Sequence, residues 1–256
     1  MKQQSYITKS EITKCKKVVQ AFNEFFNQTD IYVLDTGRYG FALLKYFNYD
    51  GFYSIKTYTN SDDLFNALWQ EWLKEKLITL CINTPLINLD YEQMLNGLPV
   101  KQQKKISEAK EHFLSKARNE ETDYNITNDS EIGIEDLERK KCGIVAQIFS
   151  NDLGKYNIVI KELKKLGFIM LEYFEPTANF DCAIVFTESQ TMFDNLLDEW
   201  FVCQIIELRD KKHATDLDID DFYNKLPENE KDKLNSMKNK FIKQAMTKAP
   251  FINKSL

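Results

Sequence analysis

Between Ser10 and Asn27 the apolar residues Ile12, Cys15, Val19, Phe22 and Phe26 recur every three or four positions, one stripe of a helix with Ser10 as its N-cap and Glu11 in its first turn. After it the period changes. IYVLDT (31–36), FALLKYF (41–47) and FYSIKTYT (52–59) are short aromatic and β-branched runs separated by glycine-containing turns, the pattern of an antiparallel meander. The helical period returns from Asn60 or Ser61, where Leu64, Phe65, Leu68, Trp69 and Trp72 cover one broad face. A short helix from about Asp90 and a longer one after Pro99, whose ring suits a first helical turn, complete an α-βββ-ααα order.

The same order is then written a second time. GFALLKYF (40–47) returns as GFIMLEYF (167–174) at an offset of 127, and SDDLFNALWQEWLKEKLI (61–78) returns as SQTMFDNLLDEWFVCQII (189–206) at an offset of 128. The register slips by one where NYDG (48–51) gives way to the longer EPTAN (175–179), a place where a hairpin loop absorbs an insertion. LDYEQMLNGLP (89–99) matches LDIDDFYNKLP (217–227), and Ile106/Leu234, Phe113/Phe241 and Ala117/Ala245 extend the alignment. The second copy thus offers a helix near 134–150 and strands near 156–163, 167–174 and 180–187. The expected fold is α+β: a tandem duplication of an α-βββ-ααα unit, each copy a three-stranded antiparallel meander packed against helices. Residues 1–118 form the first lobe, 119–133 an acidic polar linker without an apolar stripe, and 134–256 the second lobe. Trp72 and Trp200 are expected to be buried at equivalent places.

Composition narrows the class. Over 256 residues, 43% are apolar and 13% aromatic, enough for two cores, while a mean hydropathy of −0.46 excludes wholesale disorder. The opening MKQQSYITKSEITKCKK lacks the apolar run of a signal peptide, and no stretch approaches the roughly 18 apolar residues that span a bilayer, so a cytoplasmic location without membrane association is expected. Cys15, Cys81, Cys142, Cys182 and Cys203 are odd in number and never form a C-x-x-C pair, which argues for reduced core thiols and against zinc. Abundant Lys, Asn, Ile, Phe and Tyr fit an AT-rich coding sequence, hence a low-GC bacterium, plasmid or phage. Nucleic acid is disfavoured: the chain carries a net charge of −5 and a pI near 5.3, and the six basic against two acidic residues of VKQQKKISEAKEHFLSKAR (100–118) read as a solvated helix.

The candidate chemistry is sparse. Gly37-Arg38-Tyr39-Gly40 resembles a phosphate loop at first sight, but Gly40 alone has a glycine counterpart, Gly167, and the next segment reads as a strand. It is a hairpin turn needing positive φ near Gly40, with Arg38 and Tyr39 at an exposed tip and Tyr49 in the following turn. These three, with Lys56, which replaces Ile184 of the second copy, are the candidate binding residues. Two histidines, His112 and His213, lack any partner at ligand or triad spacing. Glu71, Asp90, Glu199 and Asp218 recur in both copies and form the alternative acidic site. They would serve a general acid/base or Mg²⁺ centre only if they converge, whereas helix capping and a core-rim role already account for them.

No cofactor and no metal are called for. The expectation is a non-enzymatic protein-binding module of the inhibitor, immunity or anti-defence kind, by analogy with acidic, aromatic-rich bacterial proteins of this topology. Its partner is another protein. The alternative is a carboxylate- and Mg-dependent hydrolase or nuclease with acids contributed by both repeats.

Overall fold

Strands β1 (Ile31–Asp35), β2 (Phe41–Phe47) and β3 (Gly51–Tyr58) pair in that order as an antiparallel meander in the computed structural model of the chain. The structure describes residues 6–26, 31–47, 51–80, 91–118, 134–163 and 166–253. Helix α1 (Lys9–Phe26) precedes the sheet, and α2 (Ser61–Leu80), α3 (Tyr91–Gly97) and α4 (Val100–Arg118) follow it. The second half runs α5 (Asp136–Leu153), β4 (Ile158–Glu162), β5 (Phe168–Phe174), β6 (Asn179–Phe186), α6 (Ser189–Lys211), α7 (Ile219–Lys225) and α8 (Glu228–Lys248). The chain divides into two units, Met1–Asp129 and Ser130–Leu256, each mixing helices with one antiparallel sheet. The stretch 119–133, read as a linker, lies outside the described residues.

Register is the same in both sheets. Ile31 faces Lys45 and Ile158 faces Glu172; Phe41 faces Tyr58 and Phe168 faces Phe186; a bulge follows Lys45 in one and Glu172 in the other. Elements through β2 correspond to their counterparts at an offset of 127 and those from β3 onward at 128. The turn before the middle strand needs glycine for two reasons. Gly40 and Gly167 sit at φ of +100° and +111°, and a Cβ on them would stand 2.3 Å and 2.2 Å from the carbonyl oxygens of Tyr58 and Phe186. No side chain fits there.

The helices close over one face of each sheet. Cys15, Phe22, Leu64, Leu68 and Phe113 are buried in the first core, and Cys142, Phe149, Met192, Leu196 and Trp200 in the second. Phe65 stacks on Phe113 with centroids 4.3 Å apart, and Trp200 stacks on Phe241 at 4.4 Å. Each such ring or branched side chain contributes about 1.5–3 kcal/mol through burial. One expectation is corrected here. Trp72 is only half-buried, packed on Phe26 and Trp69, and the buried tryptophan of α2 is Trp69, 4% exposed. The second unit has Leu197 in place of Trp69, and there Leu197 and Trp200 are both buried.

Candidate functional site

The turn that carries Arg38 and Tyr39 is a single 3-10 turn, Gly37–Tyr39, entered at a φ of +74° on Gly37. Thr36 and Gly40 close it: the Thr36 amide and hydroxyl both donate to the Gly40 carbonyl, at 2.9 and 2.7 Å. Arg38 is exposed, but Tyr39 is not at an exposed tip. It is 5% exposed, because the segment before α1 folds over the turn: the Ile7 amide donates to the Arg38 carbonyl and the Tyr6 ring meets that of Tyr39 edge-on. Arg38 then lies over both rings, 5.6 and 4.8 Å from their centroids, and its Nη2 donates to the Tyr39 hydroxyl at 2.6 Å. These contacts hold the turn together. Tyr49 lies outside the described residues. Lys56 stands exposed on β3, an edge strand, opposite Leu43, where a lysine deters pairing with another strand.

The acids serve separate local purposes. Glu71 is half-buried on α2 between Lys45 of β2, with which it forms an ion pair, and Lys74, 3.4 Å away. Its counterpart Glu199 has no such partner among the described residues. Lys45 is replaced by Glu172, and burial, followed by the charges of Glu172 and Asp198, pushes the Glu199 carboxyl up. Asp218 is the N-cap of α7 and accepts the Asp221 amide at 2.7 Å. Asp90 lies outside the described residues. Among the described residues no three His, Cys, Asp or Glu side chains stand where they could jointly hold a metal ion. Burial also pushes the Cys15 and Cys203 thiols up to about 12 and the Cys142 thiol up to about 11, so these cysteines remain protonated at neutral pH.

Two features have no place in the pattern of apolar positions. The first is a carboxylate clamp. Glu11 of α1 reaches fifty residues along the chain and accepts the amide of Ser61, the first residue of α2, at 2.8 Å; Glu138 of α5 does the same for Ser189 of α6 at 2.9 Å. Lys14 and Lys141 brace the other carboxylate oxygen of each. Hydrogen bonds from these lysines, then from the serine amides, hold both carboxyls below the usual range. The signal was present as Glu-x-x-Lys at positions 11–14 and 138–141, but its partner is visible only in three dimensions.

The second is a groove of about 360 Å³ on the first unit, between α1, the start of α2 and the end of α4. Val18, Phe65 and Leu114 supply an apolar floor, and Lys14, Lys17 and Arg118 a basic rim with Asp62 as its one acid. Among the described residues Lys17 and Arg118 form no ion pair. The α2 N-terminus at the groove is already capped, since Ser61 donates to Glu11, and Asp62 and Asp63 donate to the Asn60 side chain. The second unit also has a hollow between α6 and α8, about 490 Å³, lined by residues of both charges including Glu207, Lys211, Glu230 and Lys233.

No protein-family model matches the chain, and neither a curated protein nor a solved structure matches it. No helix among the described residues is long and apolar enough to cross a membrane.

Proposed function

We propose that the chain is a non-enzymatic protein-binding module that arose by tandem duplication, of the inhibitor, immunity or anti-defence kind made by a low-GC bacterium, plasmid or phage. The observation that supports binding is the first-unit groove. It joins an apolar floor to Lys17 and Arg118, which have no ion-pair partner among the described residues, the combination of anchor and rim found where proteins recognise proteins. The repeated element order and strand register support the duplication. Against the hydrolase or nuclease alternative, Glu71 is ion-paired with Lys45 and Lys74, and Asp218 caps α7.

The test has two arms. The full chain, immobilised, is used to recover proteins from its native host, and each specific partner is remade and titrated against the chain. A partner that binds with a micromolar or tighter Kd supports the reading. The same preparation is assayed with Mg²⁺ against DNA, RNA and phosphomonoesters; turnover abolished by Glu199→Gln, with no partner recovered, would reverse it.

A further inference from the structure

The second unit shows what belongs in such a groove. Its C-terminal segment leaves α8, turns at Ala249, and lays Phe251, Ile252 and Asn253 back against α5 and the start of α6. Ile252 is 2% exposed within the core, and Lys141 lies over the Phe251 ring. Gln190 grips the segment's backbone at two points, accepting the Asn253 amide at 2.8 Å and donating to the Asn253 carbonyl at 3.2 Å. Lys141, Gln190 and Ala245 correspond in sequence to Lys14, Asp62 and Ala117, all of which line the first-unit groove. Among the described residues, the tail therefore occupies in the second unit the position that corresponds to the groove in the first. Among the described residues nothing in the first core stands where Ala249 and Ile252 stand in the second.

The rims differ in a directed way. Ile144 and Met246 of the second unit correspond in sequence to Lys17 and Arg118 of the first, so two apolar residues give way to two basic ones at the groove. Asp62 in place of Gln190 keeps the half of the backbone grip that accepts an amide. We propose that the first-unit groove binds an extended peptide segment of a partner protein, one apolar side chain seated on Val18, Phe65 and Leu114 and acidic residues facing Lys17 and Arg118. This rests on the protein-binding reading and names its surface and the chemistry of its ligand. The mode is a bound extended chain with one anchoring side chain and charged flanks, in which rim charges add specificity and a dependence on salt.

The experiment uses the full chain and two fluorescein-labelled peptides, EEAPFINEE and KKAPFINKK, titrated by fluorescence anisotropy. One saturable site for the acidic peptide is expected, with the lysine peptide at least about tenfold weaker and affinity falling as NaCl rises from about 50 to about 300 mM. Lys17→Glu/Arg118→Glu, two surface changes whose folding is checked by circular dichroism, should weaken the acidic peptide at least about tenfold. The matching change in the second unit, Ile144→Glu/Met246→Glu, should leave it unaltered. Absence of saturable binding, equal binding of both peptides, or indifference to Lys17→Glu/Arg118→Glu would overturn the proposal. So would acidic-peptide binding that emerges only after Glu120→Gln/Glu121→Gln/Asp123→Asn, which would give the groove to the chain's own segment. A dimer dispersed by Lys17→Glu/Arg118→Glu would give it to a second copy and overturn the proposal equally. Full recovery of a host partner by that double variant sinks this inference and leaves the protein-binding reading standing; recovery of no partner sinks that reading itself.

Discussion

Replacing Glu11 by Gln removes one charge and almost no volume, and the structure gives a definite expectation for the result. The Glu11 carboxylate accepts the Ser61 amide at 2.8 Å and the Lys14 ammonium at 2.7 Å, at the positive end of a 20-residue helix. A hydrogen bond to a charged group is worth about 1.5–3 kcal/mol and the helix-end interaction about 0.3–1 kcal/mol. Glutamine retains an acceptor for the amide, so the net loss should be about 1–2 kcal/mol, or about 4–8 °C in a unit of this size. Because the folded-state pKa of Glu11 is lowered, its contribution is fully present above the unfolded value of about 4.3 and is lost as pH falls through the folded value. The stability gap between wild type and Glu11→Gln must therefore narrow from pH 7 to pH 3. Urea titrations at several pH values measure the gap, and amide hydrogen exchange at Ser61 reports the bond itself. Glu138→Gln should act in parallel on Ser189, leaving Ser61 unaffected. A gap below about 0.3 kcal/mol at pH 7, a gap that persists undiminished in acid, or unchanged exchange at Ser61 would refute the reasoning.

Four further outcomes are expected. Gly40→Ala should cost more than about 3 kcal/mol because its Cβ meets backbone, whereas Gly37→Ala, with positive φ but open space, should cost only about 1 kcal/mol; thermal melts of the two decide it. Glu172→Lys should stabilise the second unit by giving Glu199 the partner that Lys45 gives Glu71, and the Glu199 carboxyl should titrate at lower pH by NMR. The sign follows from its raised pKa: wild-type Glu199 contributes stability below its unfolded value that is lost as pH rises through the folded one, so the gain from Glu172→Lys should be largest at neutral pH. Trp200→Ala should cost about 3–5 kcal/mol and the half-buried Trp72→Ala distinctly less, measured by urea unfolding. His213 sits at a φ of +54° where the Ala214 amide donates to the Arg209 carbonyl, the last turn of α6, so His213→Gly should raise the melting temperature by a few degrees.

Local pattern carried the elements and failed at their long-range partners. The aromatic runs matched the six strands of the described residues within about a residue or two, because alternation and glycine turns are properties of adjacent residues. The one-residue slip between the halves was likewise legible, since an inserted residue in a hairpin leaves both flanking patterns intact. Burial of Tyr39 was not, because it depends on Tyr6 and Ile7 folding back over a turn more than thirty positions away. Trp69 and Trp72 share one helical face three residues apart, and periodicity cannot rank which lies deeper. The groove was hidden for a related reason: the tail that defines its counterpart, Pro250 to Asn253, has no period at all.

Comparison of equivalent positions separates differences that the fold explains from those it does not. Thr36 and Leu163 are both buried, and each turn is closed by the same amide-to-carbonyl bond; the threonine hydroxyl finds its acceptor in the Gly40 carbonyl, so that exchange is complete within the fold. Lys45 against Glu172 is explained in the first unit by Glu71, and in the second it leaves a strained carboxyl whose cost is measurable. Lys17 and Arg118 against Ile144 and Met246 are different. Both are long cations at the margin of an apolar hollow, and among the described residues neither has an anion to neutralise it. The aliphatic stems of lysine and arginine cover apolar surface much as isoleucine and methionine do, and Lys17 is half-buried where Ile144 is exposed, so packing does not decide between the two versions. Among the described residues these two cations form no ion pair, and the salt dependence of acidic-peptide binding by wild type and Lys17→Glu/Arg118→Glu measures whether they serve a ligand.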